Sequence, residues 1–474
     1  MASALEEVIS IRGKDMPEAQ DIAIVGSDPV LSTKFKIGEA CAAVLAGIGI
    51  AASDIWELKT GRRQKATINV RHAAASLKSA RYMKRKGTHG KFELIWSARH
   101  EAMLKNTQPF PTKDGRWFLP HFGLPNLADR VLKVLGCELN PDSISRAVSG
   151  WDAMDLEEAI DEARACGAMV RSRDEWLEHP HGQVLAAKPI VEIIKIGESD
   201  PEPFPEGDRP LSGIRALDLT RILAGPIAAR TLAEHGADVL MVTAQGLPQI
   251  PEHVMDTGHG KRSCYLDLKT GDGVEILRKL VKEADVFSQG YRPGIMQKLG
   301  FGPEQLAELR PGIVTLSISC FGADGPLSHR AGWEQIAQTV TGICNEGTPD
   351  HPALLPAAAC DYTTGYLGAY GVLLALARRA KEGGSYHVRV SLCQSGMFIY
   401  RQGSVAFDSD DMDLSEDELD AIRIESQPEA GPLQHLGPVL KLSETPPRWV
   451  HPTPVLGSDH PEWPARPESV QAAE

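Results

Sequence analysis

Asp361 stands in Cys360-Asp361-Tyr362-Thr363-Thr364-Gly365, directly ahead of a run of small residues that reads as a helix. A lone aspartate there ordinarily reads as a helix cap, accepting hydrogen bonds from the free N–H groups of the first turn. A carboxylate can also serve as a covalent nucleophile, and the two roles are compatible. An internal repeat gives Asp361 a counterpart. Leu45-Ala46-Gly47-Ile48-Gly49-Ile50 aligns without a gap on Leu367-Gly368-Ala369-Tyr370-Gly371-Val372, an offset of 322 residues (367 against 45). The same offset sets Lys59-Thr60-Gly61 on Lys381-Glu382-Gly383, residues 66–70 on 388–392, and Glu39 on Asp361. Each copy reads as a small-residue helix, a turn at Lys-x-Gly, then a strand. Glu39 is also a carboxylate, but its extra methylene displaces the charge by about 1 Å, a misplacement that can cost orders of magnitude in rate. It reads as structural.

Other reactive side chains are less organised. Eight cysteines are scattered with no Cys-x-x-Cys pair, so they read as reduced thiols and not as a zinc or disulfide framework. No metal site is expected. Lys78, Arg81, Lys84, Arg85 and Lys86 form a basic cluster that reads as a solvated face, and the eight acidic residues within 408–420 read as a solvated loop. Overall, 50 Lys and Arg against 63 Asp and Glu leave a net charge of −13, with no basic surplus for a nucleic-acid backbone. The apolar run 40–52 is too short to span a bilayer. Residues 1–7 carry neither the basic nor the apolar stretch of a secretory signal, and a cytoplasmic location is expected.

At 474 residues the chain has room for about three domains of roughly 150 residues. Four prolines and a glycine within 201–210 mark a linker. Beyond it the pattern is α/β. Strands are expected at 214–219, 238–242, 263–268, 286–288 and 313–319, with helices opened by Gly225-Pro226 and at 272–284 and 303–309. Strands alternating with helices predict a doubly wound, Rossmann-like parallel sheet. No G-x-G-x-x-G follows the first strand, so no dinucleotide cofactor is indicated.

Six stretches of the second half, in order, resemble the family III CoA-transferases, the group that includes formyl-CoA transferase, carnitine CoA-transferase and 2-methylacyl-CoA racemase. They are residues 211–226, opening Leu-Ser-Gly-Ile-Arg-Ala-Leu-Asp-Leu; Leu232-Ala233-Glu234-His235-Gly236-Ala237-Asp238-Val239; Lys261-Arg262-Ser263 with Leu266-Asp267-Leu268-Lys269; Ala284-Asp285-Val286 with Tyr291-Arg292-Pro293-Gly294; residues 317–322 with Gly325-Pro326; and Gly332-Trp333-Glu334 with Gln338 and Gly342. Residues 109–117 resemble the entry to the family's small domain, 166–183 the segment leading out of it, and 442–447 with 454–457 its last strand and tail.

The resemblance implies a family III fold, α/β with a Rossmann-like sheet and a smaller α+β domain, internally duplicated. Its divisions would be a partial first copy at 1–95, a small domain at 96–200, the linker 201–210, a Rossmann-like core at 211–400, and an acidic loop and tail at 401–474. Family subunits form interlocked dimers; here two trimmed subunits would be fused, so that the chain is either a self-contained monomer or a homodimer. The implied activity is transfer of CoA from an acyl-CoA to a carboxylic acid through a covalent intermediate on Asp361, with no tightly bound cofactor and with coenzyme A and acyl-CoA as substrates. Lys261, Arg292 and Lys298 match family positions near the nucleotide end of CoA. The chain departs from the family at 239–244, which carries no charge where members have Lys and Glu, and at 256–260. A racemase would pair the aspartate with a histidine that falls here at Trp333, and indole cannot shuttle a proton; nearby His329 reads as a loop residue. A non-catalytic homologue acting as a scaffold is the other alternative.

Overall fold

The computed structural model describes residues 3–95, 97–348, 351–407 and 412–465. Its largest sheet has seven strands: β1 (Glu192–Gly197), β2 (Arg215–Asp218), β3 (Asp238–Thr243), β4 (Lys261–Tyr265), β5 (Val286–Gln289), β6 (Val314–Ser319) and β7 (Ser385–Ser391). The spatial order is β4-β3-β2-β5-β6-β7-β1. All neighbours are parallel except the β7–β1 pair. β2, β3 and β6 are buried along almost their whole length, β2 throughout, as parallel strands covered on both faces must be. Strand order reverses between β2 and β5, the doubly wound arrangement expected from the alternation of elements.

β4 begins at Lys261, in register with Val239, and not at Ser263; two charged residues opening a strand look like loop, but Lys261 is neutralised inside the core. β1 crosses from the segment that precedes the linker to close the sheet antiparallel to β7. The linker itself contains neither helix nor strand. It is pinned to the second half by Glu202, whose carboxylate pairs with Arg310 and Arg379.

Four helices organise the centre: α1 (Ile37–Thr60), α2 (Ala224–Glu234), α3 (Glu334–Val340) and α4 (Ala359–Glu382). α1 and α4 match end to end at the sequence offset (359 against 37, 382 against 60), and each is followed by a glycine, Gly61 and Gly383. They pack against each other in one continuous core. Gly47 permits this approach, since an added Cβ would lie 2.5 Å from Val8 and 3.4 Å from the Tyr370 ring. α1 is long and apolar enough to cross a membrane, yet it is buried within the protein, where an all-round apolar helix belongs.

Residues of the 96–200 segment form a three-stranded antiparallel sheet, Phe110–Pro111, Trp117–Pro120 and Gly167–Met169. It shares a separate apolar core with the helices Pro125–Leu135, Pro141–Val148 and Ala153–Glu162. The C-terminal part returns to the first half: Lys441–Leu442 pairs with Ala66–Asn69, and Leu433–Leu436 with Lys84–Lys86.

The acidic and basic runs are not two solvated surfaces. Lys78 pairs with Asp413 at 2.6 Å, Lys84 with Glu416 at 2.8 Å and Arg71 with Glu418 at 2.6 Å. Opposite charges far apart in sequence thus fasten the 413–418 segment onto the first half. Asp408, Asp410 and Asp411 lie outside the described residues.

Candidate active site

Asp361 is the third residue of α4, and its carboxylate does not cap the helix. Glu334, the first residue of α3, does so: its Oε1 accepts the Cys360 N–H at 3.0 Å and its Oε2 the Asp361 N–H at 2.5 Å. Gln338, one turn along α3, donates to Glu334 at 2.6 Å and accepts the Leu355 N–H at 2.8 Å, locking the arrangement. Among the described residues no hydrogen bond reaches the Asp361 carboxylate, which is 7% exposed. Its height against the sheet is set by Gly365, whose missing side chain lets the Ala224 carbonyl of α2 approach; an added Cβ would lie 2.5 Å from that oxygen.

Burial, and then the neighbouring Glu334 charge, push the Asp361 carboxyl well above its ordinary range. Burial likewise raises Glu334 to about 7 against the pull of its N–H donors. The two carboxyls therefore compete for ionisation. Glu334→Gln removes the competing charge, so the acid limb of any reaction that needs ionised Asp361 should move to lower pH. A rate–pH profile beside that of the wild type tests this. The raised Glu334 carboxyl gives stability that is fully present below its ordinary value and is lost as pH rises through about 7. The variant should lose that slope in denaturation experiments.

Asp361 lies where two cavities meet. One, of about 220 Å³, is lined by Thr220, Ile222, Gly290, Tyr291, Ser319 and Trp333 among others. It opens beyond the carboxyl ends of β2 and β5, the switch point where doubly wound sheets take their ligands. The other, of about 270 Å³, runs from Asp361 and Glu334 to Lys78, His100 and His253. Ile222 borders both and has φ +75°. A β-branched residue in that region is a true outlier, worth of order 1–3 kcal/mol of strain, and such strain concentrates at working sites. The loop is propped from below by Asp218, which accepts the Thr220 N–H at 3.0 Å.

Lys261 belongs to this prop. It is 1% exposed, and its Nζ donates at 2.8 Å both to Asp218 Oδ2 and to the Pro226 carbonyl. The expectation that it meets a CoA phosphate is corrected: its charge is spent inside the core. Arg292 and Lys298 are exposed. Arg292 lies beside Tyr291 in a groove of about 310 Å³ along β5 to β7; Lys298 ends the short helix Ile295–Lys298, outside all three cavities. The three cations are thus not gathered into one site. Glu39 holds the same place in α1 as Asp361 in α4, and Asp28, accepting the Glu39 N–H at 2.8 Å, takes the part of Glu334. Glu39 binds Lys36 at 3.3 Å and lines none of these cavities.

Trp333 faces both cavities, and the buried His121 ring packs on it at 4.8 Å between centroids. His121 Nδ1 accepts the Gly123 N–H at 3.1 Å, so Nε2 carries the proton and donates to Gln335 Oε1 at 2.9 Å. Burial takes its pKa down to about 4. Both nitrogens are engaged, and this histidine does not replace the racemase base. His329 is an exposed residue paired with Asp161 at 3.1 Å. Glu334 and Ile222 both fall in stretches that resemble the family, but their roles are not legible there: the first acts across 27 residues, and the second is of a type that disfavours its own backbone conformation.

A family model for CoA-transferase family III matches residues 22–200 and 211–421. The chain belongs to CoA-transferase family III. The family model thus covers both halves and breaks at the linker. An acetyl-coenzyme A transferase, nodX, of Hypoxylon pulicicidum is 34% identical over 324 residues, 62% of this chain and 54% of that protein. A succinyl-CoA:glutarate CoA-transferase of Mus musculus is 33% identical over 205 residues, 40% of this chain and 46% of that protein. A solved CaiB/BaiF family protein from Brucella suis is 31% identical, covering 40% of this chain and 55% of that one at a TM-score of 0.38. The chain spans about half the length of these relatives.

Proposed function

We propose that this family III protein transfers CoA from an acyl-CoA thioester to a carboxylic acid with Asp361 as the covalent carrier. The observation that carries the reading is the Asp361 carboxylate itself, which accepts no hydrogen bond among the described residues and is placed between a cavity at the sheet's switch point and a second one that reaches Lys78, His100 and His253. Its oxygen attacks the thioester carbonyl; the C–S bond breaks, CoA leaves as thiolate, and an aspartyl–acyl anhydride remains. The thiolate attacks the aspartyl carbonyl, releasing the donor acid as carboxylate and leaving an aspartyl-CoA thioester. The acceptor carboxylate repeats these steps in reverse, and Asp361 returns unchanged. Covalent capture divides one difficult transfer into easier ones. The α4 N-terminus favours the anion, while burial and Glu334 keep it poorly stabilised and reactive. Two arms of one assay, CoA transfer by the wild type and by Asp361→Ala, separate this reading from a scaffold role.

Both segments of the chain line the cavity. Lys78, His100 and His121 come from the segment before the linker, and Ile222, Trp333 and Asp361 from after it. Ser79 donates to Asp256 at 2.7 Å and lies 3.0 Å from the Tyr362 hydroxyl, joining the two segments next to the nucleophile. Activity per chain is therefore expected to stay constant on dilution through any monomer–dimer transition seen by light scattering. A steep fall in step with loss of a dimer would show that a partner completes the site.

A further inference from the structure

The cavity at the sheet's switch point holds a cation that is none of the three suggested by sequence position. Among the described residues that line it, Arg221 alone is positively charged, on the loop that leaves β2. Its guanidinium makes one hydrogen bond to those residues, from Nη2 to the Pro248 carbonyl, and Nε is buried with no partner. No carboxylate among the described residues pairs with it, and Asp218, three residues earlier, is held by Lys261 at 2.8 Å. Burial presses the Arg221 pKa down, opposed by nothing stronger than the Tyr291 hydroxyl. A guanidinium stays protonated regardless, so the loop presents a part-buried cation with donors unused, a costly arrangement until an anion meets it. Residues 239–250, which include the Pro248 acceptor, carry no charge of either sign. Tyr291 borders both this cavity and the groove that holds Arg292.

We propose that Arg221 binds a phosphate of CoA at the open end of this cavity; the assignment rests on the transfer reading, which needs a CoA thioester at Asp361. Asp361 is 7% exposed and Arg221 more so. A thioester carbonyl at Asp361 therefore sends the pantetheine arm outward along the cavity and leaves the phosphates near the loop. Guanidinium suits them, because its planar fork donates to two phosphate oxygens at once. Titration calorimetry of the full chain with CoA should show Arg221→Gln binding about tenfold more weakly than the wild type, or worse, as expected for the loss of a charge-assisted contact. Transfer from hexanoyl-CoA to acetate should show a KM for the thioester raised to match and kcat retained, the mark of binding lost equally from ground and transition states. The gap between variant and wild type should shrink in about 1 M salt, where charges are screened within roughly 3 Å. Arg221→Lys, which keeps the charge, should recover part of the affinity. CoA binding unchanged in Arg221→Gln would overturn the assignment and leave the transfer reading standing. So would a loss of kcat and of melting temperature that salt does not reduce, which would make Arg221 a prop of the 244–250 loop through Pro248. A wild type that neither binds CoA nor transfers it would overturn both readings.

Discussion

Asp361→Ala is expected to reduce CoA transfer by about 10⁴-fold or more, the range seen when a covalent nucleophile is removed, while the protein remains folded. No hydrogen bond to the Asp361 carboxylate is lost in the exchange, and the carboxyl is one whose burial opposes ionisation. Its raised value means that it stabilises the fold only at low pH, and that this is lost as pH rises through the raised value. The melting temperature of Asp361→Ala at neutral pH should therefore equal or exceed that of the wild type. Activity that falls while stability holds or rises marks a residue kept for chemistry. A variant that loses both together would mean that Asp361 is a structural part of the α4 terminus.

Lys261→Met is expected to have the opposite character. The Lys261–Asp218 pair is fully buried, and removing one partner leaves an uncompensated charge in the core, a loss of about 3–5 kcal/mol. Urea denaturation should show that loss. Transfer should also fall in the protein that remains folded, because Asp218 holds the Thr220–Leu223 loop through the Thr220 N–H. Lys261→Met/Asp218→Leu should recover part of the stability but not the loop. A variant with unchanged stability and only a raised KM for acyl-CoA would return Lys261 to the phosphate-binding role that its sequence position implies.

What the sequence reveals here is local. The strands and helices after the linker follow from alternating apolar runs and Gly/Pro punctuation, and the 322-residue offset foretells two helices whose ends coincide to the residue (359 against 37, 382 against 60). Contacts that close over long chain separations leave no such trace. The pairing of Lys78 and Lys84 with the 413–416 segment, the return of β1 to the edge of the main sheet, and the Glu334 grip on the head of α4 each join residues that look unremarkable alone. The site shows the same division. Asp361 is marked by its place before a small-residue helix and by the resemblance around it. That it does not cap that helix depends on Glu334 arriving from α3. Lys261 illustrates the converse, since a lysine in a family position for CoA is, in this fold, the counter-ion of a buried aspartate.

The central claim is tested most directly by trapping the intermediate. The protein is incubated with hexanoyl-CoA, quenched with hydroxylamine and digested, and the peptides are read by mass spectrometry. Hydroxylamine converts an aspartyl thioester or anhydride to a stable hydroxamate. The account predicts that mark on the peptide containing Asp361, formed only when acyl-CoA is present and absent from Asp361→Ala. A mark on the Glu39 peptide alone, or turnover with no marked carboxylate, would contradict it.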